Sequence, residues 1–106
     1  MGRKVARTAE IKIAGPVNAE SLSALRVEAK ELAAGGVREL SVNIDAAGSL
    51  ENALTATLIR ILRDVRARSG SLTIVASRPP VLAGLRLTAL DRIVDVVPPA
   101  PATRAA

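Results

Sequence analysis

Leu40, Val42 and Ile44 alternate with Glu39, Ser41 and Asn43, and a few residues later the spacing changes. Leu54, Leu58, Ile61, Leu62 and Val65 then fall on one side of a helix. A period of two that gives way to a period of 3.6 across a short Ala/Gly/Ser link marks a strand feeding a helix. The same change recurs along the chain. Val5 to Ala14 reads as one or two short strands, broken by Gly15-Pro16. Asn18 is placed to cap a helix, with Glu20 in its first turn and Leu22, Leu25, Ala29 and Leu32 at helical spacing. Gly35-Gly36 ends that helix, and Val37 to Ile44 is the next strand. A second helix is expected over about 52–68 and is stopped by Ser69-Gly70. Ser71 to Ala76 is a strand. Pro79-Pro80 opens a third helix whose buried side is Val81, Leu82, Leu85 and Leu87, and Ile93 to Val97 is a last strand.

The order β-(β)-α-β-α-β-α-β implies an α/β fold, with a mainly parallel sheet and right-handed crossovers. Helices on both faces, or one face left partly open, both fit this order. At 106 residues the length suits one domain over 1–97. The closing Pro/Ala stretch, 98–106, has nothing to bury and is expected to be a disordered tail.

Composition narrows the function. The chain has no Cys and no His, so it lacks thiolate chemistry, the commonest general base and the commonest zinc ligand. Catalysis would have to rest on Asp, Glu, Lys or Ser, and no pair of these stands at a spacing that supports it. Residues 46–52 hold one Gly and no Lys, so they are no phosphate-binding loop. The expectation is a protein that is not an enzyme, with no metal and no cofactor. The core must be built from Leu, Ile, Val and Ala, because Phe, Tyr and Trp are absent. A net charge of +5 can signal nucleic acid. Arg60, Arg63, Arg66 and Arg68, however, lie near a helix C-terminus, where cations suit the macrodipole, and the charge reads as solvated surface. With no signal peptide and no apolar run near the length of a membrane span, the chain is expected to be cytoplasmic.

Several stretches, taken in order, resemble the STAS domain family, which includes anti-sigma factor antagonists. Ile13-Ala14-Gly15-Pro16-Val17-Asn18 is similar to the family's opening motif, with Asn18 in place of Asp. Ala33 to Leu40 resembles its first helix end and next strand, and Ser71 to Val75 the strand after its second helix. Leu85-Arg86-Leu87-Thr88-Ala89-Leu90-Asp91 resembles its Leu-x-x-Thr-Gly-Leu-Asp signature, with Ala89 for Gly. Together these cover roughly Ile11 to Val97. The resemblance implies a STAS-like mixed, mainly parallel sheet packed with three to four helices.

It also implies a site at the start of the second helix, where the family carries Asp-Ser-x-Gly and the Ser is often phosphorylated. Here Glu51 takes the Asp place, Asn52 the Ser place and Leu54 the Gly place, and Asn43 stands for the strand-end Asp. Asn52 cannot accept a phosphoryl group, so the charge step of about −1.5 to −2 is missing at that position. From the residues alone, Asn52 is an N-cap or a constitutive contact, and Ser49 is an alternative cap. Ser49 and Thr55 keep hydroxyls that could be modified, and Asp45 reads as a solvated loop acid. The partner-binding residues implied are Asp45, Ser49, Glu51, Asn52 and Thr55. The implied partner is an anti-sigma factor or kinase-type protein. Alternatively it is the ATPase subunit of a lipid-handling ABC transporter, for which the chain would be an accessory subunit. Neither nucleic acid nor membrane insertion is expected, and a homodimer stays open. The Arg/Ala-rich composition fits a bacterial origin.

Overall fold

The computed structural model describes residues 7–13 and 16–99. The elements are β1 (Arg7–Lys12), α1 (Ala19–Ala34), β2 (Val37–Asn43), a 3-10 turn (Asp45–Ala47), α2 (Asn52–Arg66), β3 (Ser71–Val75), α3 (Pro79–Leu87), a second 3-10 turn (Leu90–Arg92) and β4 (Asp95–Val97). The four strands form one sheet in the order β1-β2-β3-β4. Every described pairing is parallel, so the expected mixed character is not found among the described residues. The expected break at Gly15 and most of the expected tail lie outside the described residues.

The register explains how the two faces of the sheet differ. Ile11 pairs with Val42 and Val42 with Ile74, while Leu40 pairs with Leu72. These side chains share one face and join Leu22, Leu25, Leu54, Leu58, Ile61, Val81 and Leu85 in a single core. All three helices therefore contribute to the apolar side. The other face carries the row Glu10, Ser41, Thr73 and Asp95, paired strand to strand. This is the half-open arrangement that the element order had allowed.

Local chemistry sets the helix boundaries. Asn18 caps α1 in a reciprocal box: its Oδ1 accepts the Ser21 N–H (2.8 Å), and the Ser21 Oγ accepts the Asn18 N–H (2.9 Å). Pro79 and Pro80 occupy the first turn of α3. Gly70 ends the turn after α2 in a tight space, where a Cβ would stand 2.6 Å from the Arg38 carbonyl oxygen. In α2, Leu54, Leu58, Ile61, Leu62 and Val65 are all buried, each contributing about 1.5–3 kcal/mol. The buried Thr57 hydroxyl donates back to the Ala53 carbonyl at 2.9 Å.

Three expectations need correction. α2 ends at Arg66, not Arg68, because Ala67 to Ser69 turn the chain toward Gly70. The last strand starts at Asp95; Ile93 and Val94 instead close the 3-10 turn with N–H bonds to Leu90. Leu87 is not buried but 88% exposed, since it lies in the last turn of α3, off the Val81–Leu85 stripe. Ala89 does adopt the left-handed conformation (φ 61, ψ 16), the one that favours the glycine it replaces.

Candidate functional site

The loop from Asn43 to Glu51 leaves the C-terminal edge of β2 and delivers the chain to α2. Open α/β sheets commonly place ligands beyond the C-terminal ends of parallel strands. The loop is built by its own polar groups. The Asn43 Oδ1 accepts the Asp45 N–H at 3.1 Å and starts the 3-10 turn. Asp45 then reaches across to the loop after β3. Its Oδ1 accepts the N–H of Ser77 (2.8 Å) and of Arg78 (3.1 Å), and its Oδ2 accepts the Ser77 hydroxyl (2.8 Å). Burial pushes the Asp45 carboxyl up. The donors of Ser77 and Arg78 and the Arg78 charge outweigh it, so the group titrates below its ordinary value. The expectation of a simply solvated Asp45 is thus corrected: both carboxylate oxygens are engaged.

The far end of the loop is fixed by packing. Leu50 lies against α3 at Gly84, where an added Cβ would stand 2.6 Å from the Leu50 Cβ. Glycine is needed here for close approach, and the loop is held at one end to Ser77 and Arg78, just before α3, and at the other to α3 itself.

Ser49 lies between these two ties, and Glu51 and Asn52 follow directly after the second. Ser49, Glu51 and Asn52 are exposed. The N-cap is Glu51, not Asn52 or Ser49, and its side chain makes no capping hydrogen bond. Asn52 is the first residue inside the helix. The first N–H groups of a helix have no partner within it, and α2, unlike α1, leaves them without a side-chain cap. Thr55 lies one turn in. Its N–H bonds the Glu51 carbonyl at 2.9 Å, while its Oγ1 is buried and has no hydrogen-bond partner among the described residues.

Sequence reasoning missed Ser77, Arg78, Leu50 and Gly84. A signal for the first two was present. Pro79 and Pro80 bring no N–H to the start of α3, so the donors just ahead of the helix are those of Ser77 and Arg78, which an acceptor from elsewhere can take. Among the described residues, no group of three His, Cys, Asp or Glu is placed to hold a metal ion. No described helix is long and apolar enough to cross a membrane.

A family model described as the MlaB STAS domain matches residues 3–98. The chain belongs to the STAS family. Solved STAS-fold structures agree in architecture. An anti-sigma factor antagonist from Mycobacterium paratuberculosis superposes with a TM-score of 0.75 at 18% identity, covering 92% of this chain and 82% of its own. The anti-sigma factor antagonist SpoIIAA in its unphosphorylated form gives 0.73 at 12% identity, covering 91% and 84%. The Bacillus cell fate determinant SpoIIAA in the phosphorylated form gives 0.67 at 12%, covering 91% and 87%. At these identities the likeness is one of fold. No curated protein gives a significant match to the sequence.

Proposed function

We propose that this STAS domain is a non-catalytic regulatory module, similar to an anti-sigma factor antagonist, that binds a protein partner through the start of α2. Ser49, Glu51, Asn52 and Thr55 form the contact, and Asp45 holds the loop that presents them. The observation that carries this reading is the exposed start of α2, which is uncapped by Glu51 yet tied down at Asp45–Ser77 and Leu50–Gly84. Rigid, unsatisfied N–H donors suit a partner that brings oxygen acceptors. In this reading the partner is an anti-sigma factor or kinase-type protein. Asn52 keeps the helix start in a permanently unphosphorylated-like form. With no aromatic side chains to anchor the contact, the complex is transient.

A second reading makes the chain an accessory subunit docked on an ABC transporter ATPase. It is favoured by Asn52, because docking needs no phosphorylation cycle. It is also favoured by the matched family model, which is described by the MlaB STAS domain and not by an antagonist.

Affinity purification from native cytosol, comparing wild type with Asn52→Lys, tests both. Recovery of an anti-sigma or kinase-type protein that is lost with Asn52→Lys supports the first reading. An ABC ATPase lost in the same way supports the second. Unchanged recovery of any partner by Asn52→Lys removes this face from the account.

A further inference from the structure

A second surface has a lining distinct from the residues at the start of α2. α1 and α2 pack side by side and leave a furrow between them. Its upper part, about 380 Å³, is lined by Ser23, Arg26, Val27 and Lys30 of α1 and by Thr57 and Arg60 of α2. A smaller part, about 220 Å³, continues from Lys30 past Ala33 and Asp64 to Arg68. From Ala19 at one end to Ala33 at the other, the furrow runs about 21 Å at the helical rise of 1.5 Å per residue.

Charge distinguishes this furrow from an ordinary helix seam. Arg26, Lys30, Arg60 and Arg68 line it, and Asp64 is the one carboxylate among its lining residues, a surplus of three positive charges. Asp64 lies 3.5 Å from the Arg26 Nε. Neither the Arg26 Nε nor the Asp64 Oδ2 has a hydrogen-bond partner among the described residues, although both atoms are buried. No acid of α1 is among the residues that line the furrow. Glu28, for example, lines the opposite flank of the helix, against β1. The furrow also has an apolar strip: Leu22 forms its floor, and Val27 stands half exposed on its rim.

We propose that the α1–α2 furrow docks an acidic amphipathic helix of a protein partner. The length accommodates about fourteen helical residues. The apolar strip takes the buried face of such a helix, and the cations take the carboxylates along its edges. Part of the net charge of +5 is thereby concentrated on one surface. It is not only a complement to helix dipoles. None of the furrow's lining residues is among Ser49, Glu51, Asn52 and Thr55, so the two contacts can be tested separately.

The test uses the full chain and a fluorescein-labelled fourteen-residue helical peptide with Leu at positions three and four apart and Glu elsewhere. Fluorescence anisotropy at low salt is expected to show binding that salt weakens. Lys in place of every Glu in the peptide is expected to abolish it. The double variant Lys30→Glu/Arg60→Glu should weaken binding about tenfold or more while its thermal unfolding stays close to wild type. Amide chemical-shift changes should centre on Ser23, Val27, Lys30, Thr57 and Arg60. Asn52→Lys should leave peptide binding unchanged, which separates this proposal from that of the α2 start. The proposal is overturned if the Glu peptide does not bind, if the charge-reversed variant binds it equally, or if Asn52→Lys abolishes binding. It is also overturned if phosphatidylcholine vesicles containing phosphatidylglycerol bind at the furrow while the peptide does not, since the surface would then recognise a membrane.

Discussion

Asp45 and Ser77, 32 residues apart in sequence, are joined twice: one carboxylate oxygen takes the Ser77 N–H and the other its hydroxyl, each at 2.8 Å. The pair links the loop before α2 to the loop before α3. It also places a negative charge beside the start of α3, whose own first residues are prolines. Replacing Asp45 with Ala removes three hydrogen bonds to one charged group at a partly exposed position. The expected cost is about 1–2 kcal/mol, seen as a fall in Tm of roughly 5–10 °C by calorimetry.

The same pair sets a pH dependence. The folded-state value of Asp45 lies below the ordinary one, so between the two values the unfolded chain binds more protons. The stabilisation is therefore complete above the ordinary Asp value, about 3.9, and fades as pH falls through the lower folded-state value. Urea titrations of wild type and Asp45→Asn should differ most at neutral pH and converge in strong acid. A gap that widened on acidification would contradict the assignment.

Gly84 gives a prediction in which the sign is the test. In a free helix, Gly→Ala stabilises by about 1 kcal/mol. Here the new Cβ would meet the Leu50 Cβ at 2.6 Å, an atom next to the backbone that cannot swing aside. Gly84→Ala is expected to destabilise by about 1–2 kcal/mol and to weaken partner binding at the α2 start by shifting Leu50. In a Leu50→Gly background the same substitution should become stabilising, and a double-mutant cycle in urea measures the reversal.

Ala89 holds a left-handed conformation at φ 61, which costs a residue with a Cβ about 1–2 kcal/mol. Glycine relieves that cost but loses more chain entropy on folding. Ala89→Gly is expected to gain about 0.5 kcal/mol, a rise in Tm of roughly 2–4 °C. An unchanged or lower Tm would show that this turn carries no relievable strain.

Glu51 offers a trade of stability against binding. Its extended backbone (φ −94, ψ 163) suits a capping side chain, yet its own side chain makes no capping hydrogen bond. Glu51→Ser should add about 0.5 kcal/mol of stability. If the free N–H donors of α2 are what the partner takes, the same change lowers affinity in a pull-down titration.

Much of this molecule could be read from side-chain spacing, and the limits of that reading have physical causes. The strands around Val42 and Ile74 and the helix through Leu58 and Ile61 were legible because burial repeats with the period of the backbone. The Asn18 cap was legible because its partner, Ser21, is three residues away. The start of α2 was not: Ser49, Glu51 and Asn52 are all polar and adjacent, and spacing cannot say which one falls at the cap. Asp45 was misjudged because its partners come from another crossover, and no local pattern carries that distance. Leu87 was misplaced because an apolar side chain near a helix end can fall on either side of the stripe.

The unequal faces of the sheet bear on how the chain avoids misfolding. A slip of β2 by one residue would turn Leu40, Val42 and Ile44 out to water and drive Glu39, Ser41 and Asn43 into the core. With the three described helices on one side, the described residues offer no second apolar layer to shelter the displaced side chains. The alternation of polarity along β2 thus fixes its register, because a slipped pairing would bury polar side chains and expose apolar ones.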